Sequence, residues 1–307
     1  MRDWIAEIMD ELDKKIMADL QYNCRLTYQE LSRRYGVSAN AIRKRIMNLE
    51  ETGEISGYAV TLSIGMTGSS QLFGFLTGDG SRDEMEMIDE IGSHPNIIAA
   101  AAYSNGIYAF VGNYKVTHEM HDLSSYLRRI KGVVNAEIHP TIIPTRPGME
   151  LSPLHLRILK VLLEDPRLPV VEIAVRSGLT ARRVRRLLSQ LEESRAVQFN
   201  ALIELGADTS IPFIALIRWD ERATTYEQLI DWLREKYPLT LWENFISAME
   251  PVLFSLFAGE NLTQVNEMTR EIRKHPHVVS VVTTISTHHK FFTSYRQNKL
   301  REMIESV

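Results

Sequence analysis

The chain has 307 residues, 44% hydrophobic and 24% charged, which is enough to bury more than one ordinary core. Its net charge of −4 excludes a uniformly basic surface, so any contact with a polyanion has to come from local patches. A single cysteine, Cys24, excludes an intrachain disulfide, no apolar run is long enough for a bilayer, and the acidic start MRDWIAEIMDELDKK is no signal peptide, so a cytoplasmic protein is expected.

Trp4, Ile5, Ile8, Met9 and Leu12 fall at helical spacing, and Ile16 and Leu20 continue the stripe as a first helix. Leu26 to Glu51 then reads as helix, turn, helix. Ser32, Gly36 and Ile42 are spaced by four and then six residues, as a close helix crossing, a positive-φ turn and a buried branched residue require. Ser38 follows the turn as an N-cap. Gly53 and Gly57 bracket EISGYAVTLSIG, a short wing or linker strand.

From Gln71 the period changes. QLFGFLT is a strand, Ser81 to Ser93 a helix capped by Ser81, NIIAAAAY and IYAFVGNY a hairpin, Thr117 to Ile130 a helix and VVNAEIHPTII a last strand, giving βαββαβ. One face of such a sheet needs cover, and a like sheet is the economical cover. PTRPGMELSP, with three prolines and a glycine, reads as a linker.

The same order then repeats. Ala174, Gly178 and Val184 reproduce the turn spacing with Thr180 as the cap, and Leu168 stands 142 residues after Leu26, as Gly178 does after Gly36. IPFIALIRW, Thr225 to Tyr237, LTLWENFISAM, VLFSLFAG, Asn261 to Lys274 and VVSVVTTIST form the second α/β module, and Leu300, Met303, Ile304 and Val307 mark a closing helix.

At about 100° per residue, Ile42, Ile46 and Leu49 form one stripe of the second helix, with Asn40, Arg43, Lys44 and Met47 opposite. In the repeat Val184, Leu188 and Leu191 are inward and Arg182, Arg185, Arg186 and Ser189 outward. With the caps Ser38 and Thr180, these are the expected contacts to duplex DNA, since Arg and Lys suit guanine edges and Asn suits adenine. Arg45, beside the apolar stripe, is expected to extend toward a phosphate or solvent.

LDKKIMADLQ followed by LTYQELSRRYGVSANAIRKRIMNLEETGEISGYAV, with the close Leu49, Glu50, Gly53 and Ile55, resembles the N-terminal domain of the Lrp/AsnC (leucine-responsive) transcription regulators. That resemblance implies an α+β chain in which two winged helix-turn-helix domains alternate with two ferredoxin-like βαββαβ modules. The expected layout is a first DNA-binding domain over 1–60, a module over 68–143, a linker over 144–153, a second DNA-binding domain over 154–206, a second module over 210–290 and a C-terminal helix over 291–307.

The resemblance further implies a regulator reading two half-sites, held by associated α/β modules as a pseudo-dimer within the chain or as a homo-oligomer. It also implies a small-molecule effector near Asn105, Gly106 and Tyr108. Gly106 and Tyr108 match two positions of the regulators' Gly-x-Tyr-Asp turn, but Ala109 replaces the acid, so a free amino acid is not expected to bind in the usual way.

Two other readings stand beside this one. The helix-turn-helix domains could serve a protein-docking scaffold. Enzymes that decarboxylate siroheme are similar to tandem or paired Lrp-type proteins, but the corresponding turns AAYSNGIYAF and FISAMEPVLF lack their His-Asn-Tyr-x-Arg and Tyr-Asn-Leu-Trp-Phe motifs, and no nucleophile with its base is visible. An enzyme is therefore not expected, nor a cofactor. His118 and His121 lie three apart without a third ligand, so no metal is expected. His94 and His275, each before a proline, are expected at the carbonyl ends of helices.

Overall fold

The computed structural model describes residues 9–143, 149–207, 210–293 and 295–306. In chain order its elements are α1 (Glu11–Tyr22), α2 (Tyr28–Tyr35), α3 (Ala39–Thr52), β1 (Ile55–Leu62), α4 (Ile64–Thr67), β2 (Ser70–Gly78), α5 (Glu84–Gly92), β3 (Ile97–Tyr103), β4 (Ile107–Tyr114), α6 (Thr117–Arg129) and β5 (Val133–Pro140). There follow α7 (Pro153–Leu162), α8 (Val170–Ser177), α9 (Ala181–Ser194), β6 (Val197–Ile203), β7 (Ile211–Trp219), α10 (Tyr226–Lys236), β8 (Leu241–Ile246), β9 (Val252–Gly259), α11 (Leu262–Lys274), β10 (Val278–Phe291) and α12 (Tyr295–Glu305). Residues 1–8, where Trp4, Ile5 and Ile8 suggest a helical start, and 144–148 of the expected linker lie outside the described residues, as does Val307.

Two compact units result. One gathers both helix-turn-helix segments, α1–α3 and α7–α9, with β1, β6 and α12. Gly36 and Gly178 close α2 and α8 at φ 70° and 64°, a conformation that costs glycine nothing. Behind each turn the core is aliphatic: Ile16, Leu20, Leu31, Ile42, Ile46 and Leu49 in the first copy, Leu156, Leu159, Ile173, Val184, Leu188 and Leu191 in the second, all buried.

Within this unit the expected wing strands do not stand alone. β1 and β6 pair antiparallel, from Ile55 opposite Ile203 to Leu62 opposite Val197, and so bind one copy to the other. The Cys24 amide donates to the Phe199 carbonyl at 2.8 Å and the Asn200 side chain to the Gln21 carbonyl at 2.6 Å. Arg25 reaches the carbonyls of Pro166 and Leu168, while the Arg167 guanidinium lies 4.9 Å from the Tyr58 ring centroid.

The other unit is one eight-stranded antiparallel sheet in the order β5-β2-β4-β3-β10-β7-β9-β8, with each half a βαββαβ module. Strand alternation sorts its side chains. Leu72 and Leu76 of β2 face α5 and α6 with Ile88, Ile91, Leu123 and Leu127, and Phe213, Ile217 and Phe257 face α10 and α11. The opposite faces meet each other: Phe73 stacks on Phe245 and Phe254 at 4.7 and 4.8 Å, with Ile214, Val252 and Ala109 alongside. The two modules therefore cover each other's sheets within one chain.

β10 joins the halves. Its 14 residues outrun the strand legible in VVSVVTTIST, pairing first with β7 and then, from Ser286 to Phe291, with β3. At the other edge the join is short, an isolated bridge between Thr141 and Ser247 with the Ile142 amide bonded to the Ile246 carbonyl.

Two local expectations change. α5 is capped by Asp83, whose carboxylate accepts the Met85 and Glu86 amides, because Ser81 is drawn into a turn by Asp79. His94 and His275 do stand at helix ends, but in hydrogen bonds that suit a neutral ring. Each ring nitrogen accepts an amide two residues on, the rings pack on Tyr126 and Trp232, and burial lowers both pKa values, which favours neutral imidazole.

Candidate nucleic-acid interface

The outward faces of α3 and α9 are built by their caps. The Ser38 hydroxyl accepts the Ala41 amide at 3.1 Å and the Thr180 hydroxyl accepts the Arg183 amide at 3.3 Å, so both cap side chains are occupied in holding the helix start. Asn40, Arg43, Lys44 and Met47 on α3 are exposed, as are Arg182, Arg185, Arg186 and Ser189 on α9. Ser189 donates to Glu193 at 2.6 Å, which turns its hydroxyl along its own helix. Among the described residues Arg43, Lys44, Arg182, Arg185 and Arg186 have no carboxylate within ion-pair distance, and Arg183, which helical periodicity left out of the set, is exposed with them.

Two other cations of the unit are spent on the scaffold. Arg45 does not extend toward solvent or phosphate; it bonds Asp10 and Asp13 at 2.7 and 2.8 Å, which ties α3 to the start of α1. Arg34 pairs with Asp19, whose other oxygen accepts the Tyr35 hydroxyl at 2.6 Å, and burial with that bond pushes the Tyr35 pKa up to about 12. With Arg45 and Arg34 held by carboxylates, the exposed cations without an acidic partner are densest on α3 and α9.

The expected effector residues are not brought together. Asn105 is exposed at the β3–β4 hairpin and Gly106 turns it at φ 72°, but Tyr108 is buried in the core beneath α5 and α6. A cleft of about 560 Å³ lies elsewhere, between the end of α10 and α11, lined by Lys236, Thr240, Gln264, Arg270, Glu271 and Lys274. The strand motif sought in the hairpins also missed a buried polar group in the sheet unit. The His139 imidazole lies 2.9 Å from a Glu137 carboxylate oxygen and 3.0 Å from the Ser247 hydroxyl, with Glu250 beside it. No spacing in the sequence joins residues so far apart; only the alternation that turns His139 inward on β5 hinted at it.

With this geometry the fold defines a protein of paired helix-turn-helix domains and paired α/β modules. Residues 9–50 match the AsnC-type helix-turn-helix domain family and residues 151–198 the winged helix-turn-helix DNA-binding family. The chain is similar to an uncharacterized HTH-type transcriptional regulator of Pyrococcus abyssi, 29% identical over 52% of this chain and 99% of that protein. It is also similar to HTH-type transcriptional regulator LrpA of Pyrococcus horikoshii, 35% identical over 25% of this chain and 53% of that one. Residues 9–50 thus carry an AsnC-type helix-turn-helix domain, and the chain is similar to transcription regulators of that kind.

Over its whole length the fold matches the siroheme decarboxylase NirDL, with 16% identity, 97% of this chain and 99% of that chain covered, and a TM-score of 0.53. Against NirDL in complex with an iron-uroporphyrin III analogue the TM-score is 0.57. This corrects the expectation that the chain is not an enzyme: its fold is shared over 97% of its length with one, so the missing motifs do not exclude an enzyme. The missing motifs tested one local pattern, whereas groups such as His139 and Ser247 meet only after folding. No helix among the described residues is long and apolar enough to cross a membrane.

Proposed function

We propose that this chain is a sequence-specific duplex-DNA-binding transcription regulator that acts where the chromosome lies. The observation that carries the proposal is the pair of exposed, unpaired donor faces on α3 and α9, held in one unit by β1 and β6. Each suits a major groove, where a good bidentate contact gives about 1–3 kcal/mol of discrimination. Asn40, Arg43 and Lys44 differ from Arg182, Arg185 and Arg186, so the two half-sites differ and the operator is asymmetric. A small-molecule effector would act by shifting module packing, with a coupling of about 1–3 kcal/mol.

Selection of bound duplexes from a random library at stated salt, followed by footprinting, tests this. Two unlike half-sites at a fixed spacing are expected, and a palindrome read identically by both helices would contradict it.

The whole-chain likeness to NirDL favours a second reading, an enzyme acting on a carboxylated tetrapyrrole. Against it, the faces that the two modules turn to each other are filled by Phe73, Phe75, Phe245 and Phe254. Titration with iron-uroporphyrin III decides this reading. A saturable shift of the pigment's main absorption band supports it, and an unchanged spectrum removes it.

A further inference from the structure

His139 sits where β5 of the first module meets the β8–β9 turn of the second, the shorter of the two joins in the eight-stranded sheet. Its hydrogen bonds set its tautomer. The Ser247 hydroxyl oxygen already accepts the amides of Met249 and Glu250 at 3.1 and 3.3 Å, so its own hydrogen points to Nδ1 of His139, 3.0 Å away. Nδ1 is then unprotonated, its lone pair accepting the Ser247 hydrogen, and the proton on Nε2 is donated to Glu137 at 2.9 Å.

On the Nδ1 side Glu250 presents Oε1 at 3.9 Å, its other oxygen being held by Arg218. A metal ion about 2.1 Å from a nitrogen and a carboxylate oxygen holds those atoms about 3 to 4 Å apart. The pair already has that separation. On the far side of the ring a carboxylate takes the remaining N–H, the arrangement that orients a histidine bound to metal and raises its basicity. One ligand atom from each of Glu137, His139 and Glu250 lies within 4.8 Å of the other two.

We propose that this seam is a divalent transition-metal site, with His139 Nδ1 and Glu250 Oε1 as ligands once the Ser247 hydrogen gives up Nδ1, water completing the shell, and Glu137 as the orienting carboxylate. An imidazole with one carboxylate suits zinc, cobalt or manganese rather than calcium or magnesium. Because β5 and the β8–β9 turn belong to different modules, a bound ion cross-links the two halves where backbone pairing is sparse. Arg218 opposes the cation but also fixes the rotamer of Glu250.

The test titrates chelator-treated full-length protein with cobalt(II), read by its visible d–d absorption, alongside the melting temperature in zinc. One equivalent bound, with a rise in melting temperature, is expected. Glu250→Gln should weaken binding at least tenfold, and Glu137→Gln, which leaves both ligands in place, by roughly 10- to 100-fold. The double variant His118→Gln with His121→Gln should change nothing. Absence of binding up to millimolar cobalt overturns the proposal, as does binding that survives both glutamate substitutions or is lost with His118 and His121.

Discussion

On the outer face of α2 the first copy presents Gln29 and Arg33; at the equivalent places α8 presents Val171 and Val175, 65% and 77% exposed. α3 likewise carries a mixed amide and cationic face where α9 carries arginines. Inside, the copies agree: Leu31 and Ile173, Ile42 and Val184, Ile46 and Leu188, and Leu49 and Leu191 are all buried. Between these extremes lie the ties from the third helix to the first. Arg45 with Asp10 and Asp13 does in one copy what His155 with Gln190, 3.2 Å apart, does in the other, where buried Leu187 takes the place of Arg45. Helix geometry is thus preserved by quite different chemistry, while the outward face changes freely.

The comparison breaks most readily in the cores. Leu49→Ala and Leu191→Ala should each cost about 2–5 kcal/mol by urea denaturation, since each leaves a cavity at an equivalent buried position. A loss below about 1 kcal/mol in either copy would show that its core is not packed as its twin is.

The caps give a smaller and pH-dependent difference. Thr27 and Glu30 form a capping box on α2, whereas Pro169 gives α8 no side-chain cap. Thr27→Ala should cost about 1 kcal/mol at neutral pH. The Thr27 hydroxyl and amide hold the Glu30 carboxyl below its ordinary range, so this stability is present above the unfolded carboxyl value and lost as pH falls through the folded one. The gap between wild type and variant should therefore narrow in acid, and a gap that stays constant with pH would remove the carboxylate half of the box.

The smallest effect sharpens the comparison at the helix ends. Gly53 closes α3 at φ 92°, but Arg195 closes α9 at φ 53°, a left-handed conformation strained for a side chain. Arg195→Gly should raise stability by about 0.5 kcal/mol, and Gly53→Ala should lower it by about 1 kcal/mol. Thermal melts of the two variants check the opposite signs.

Much of this was legible in the sequence because it is local. Turn spacing, caps and helical periodicity placed Ser38, Thr180 and the outward residues of α3 and α9, and strand alternation separated Leu72 and Leu76 from Phe73 and Phe75. What was not legible depends on distant partners. Nothing near Ile55 announces pairing with Ile203, nothing near Ser286 announces Tyr103, and Arg45 is drawn from solvent by acids 32 and more residues away. Glu137, His139, Ser247 and Glu250 escaped for the same reason, lying on two modules that meet only in the folded sheet.

The central claim, that the free faces of α3 and α9 meet DNA and do unlike work there, is tested most directly by salt. Binding to a selected duplex would be measured across ionic strength for wild type, for Arg182, Arg185 and Arg186 changed to Ala, and for Asn40, Arg43 and Lys44 changed to Ala. Losing three cations should flatten the slope of log K against log salt by about 2.7, and losing two by about 1.8, with altered base preference at a different half-site in each. Wild-type affinity and slope in both variants would contradict the account.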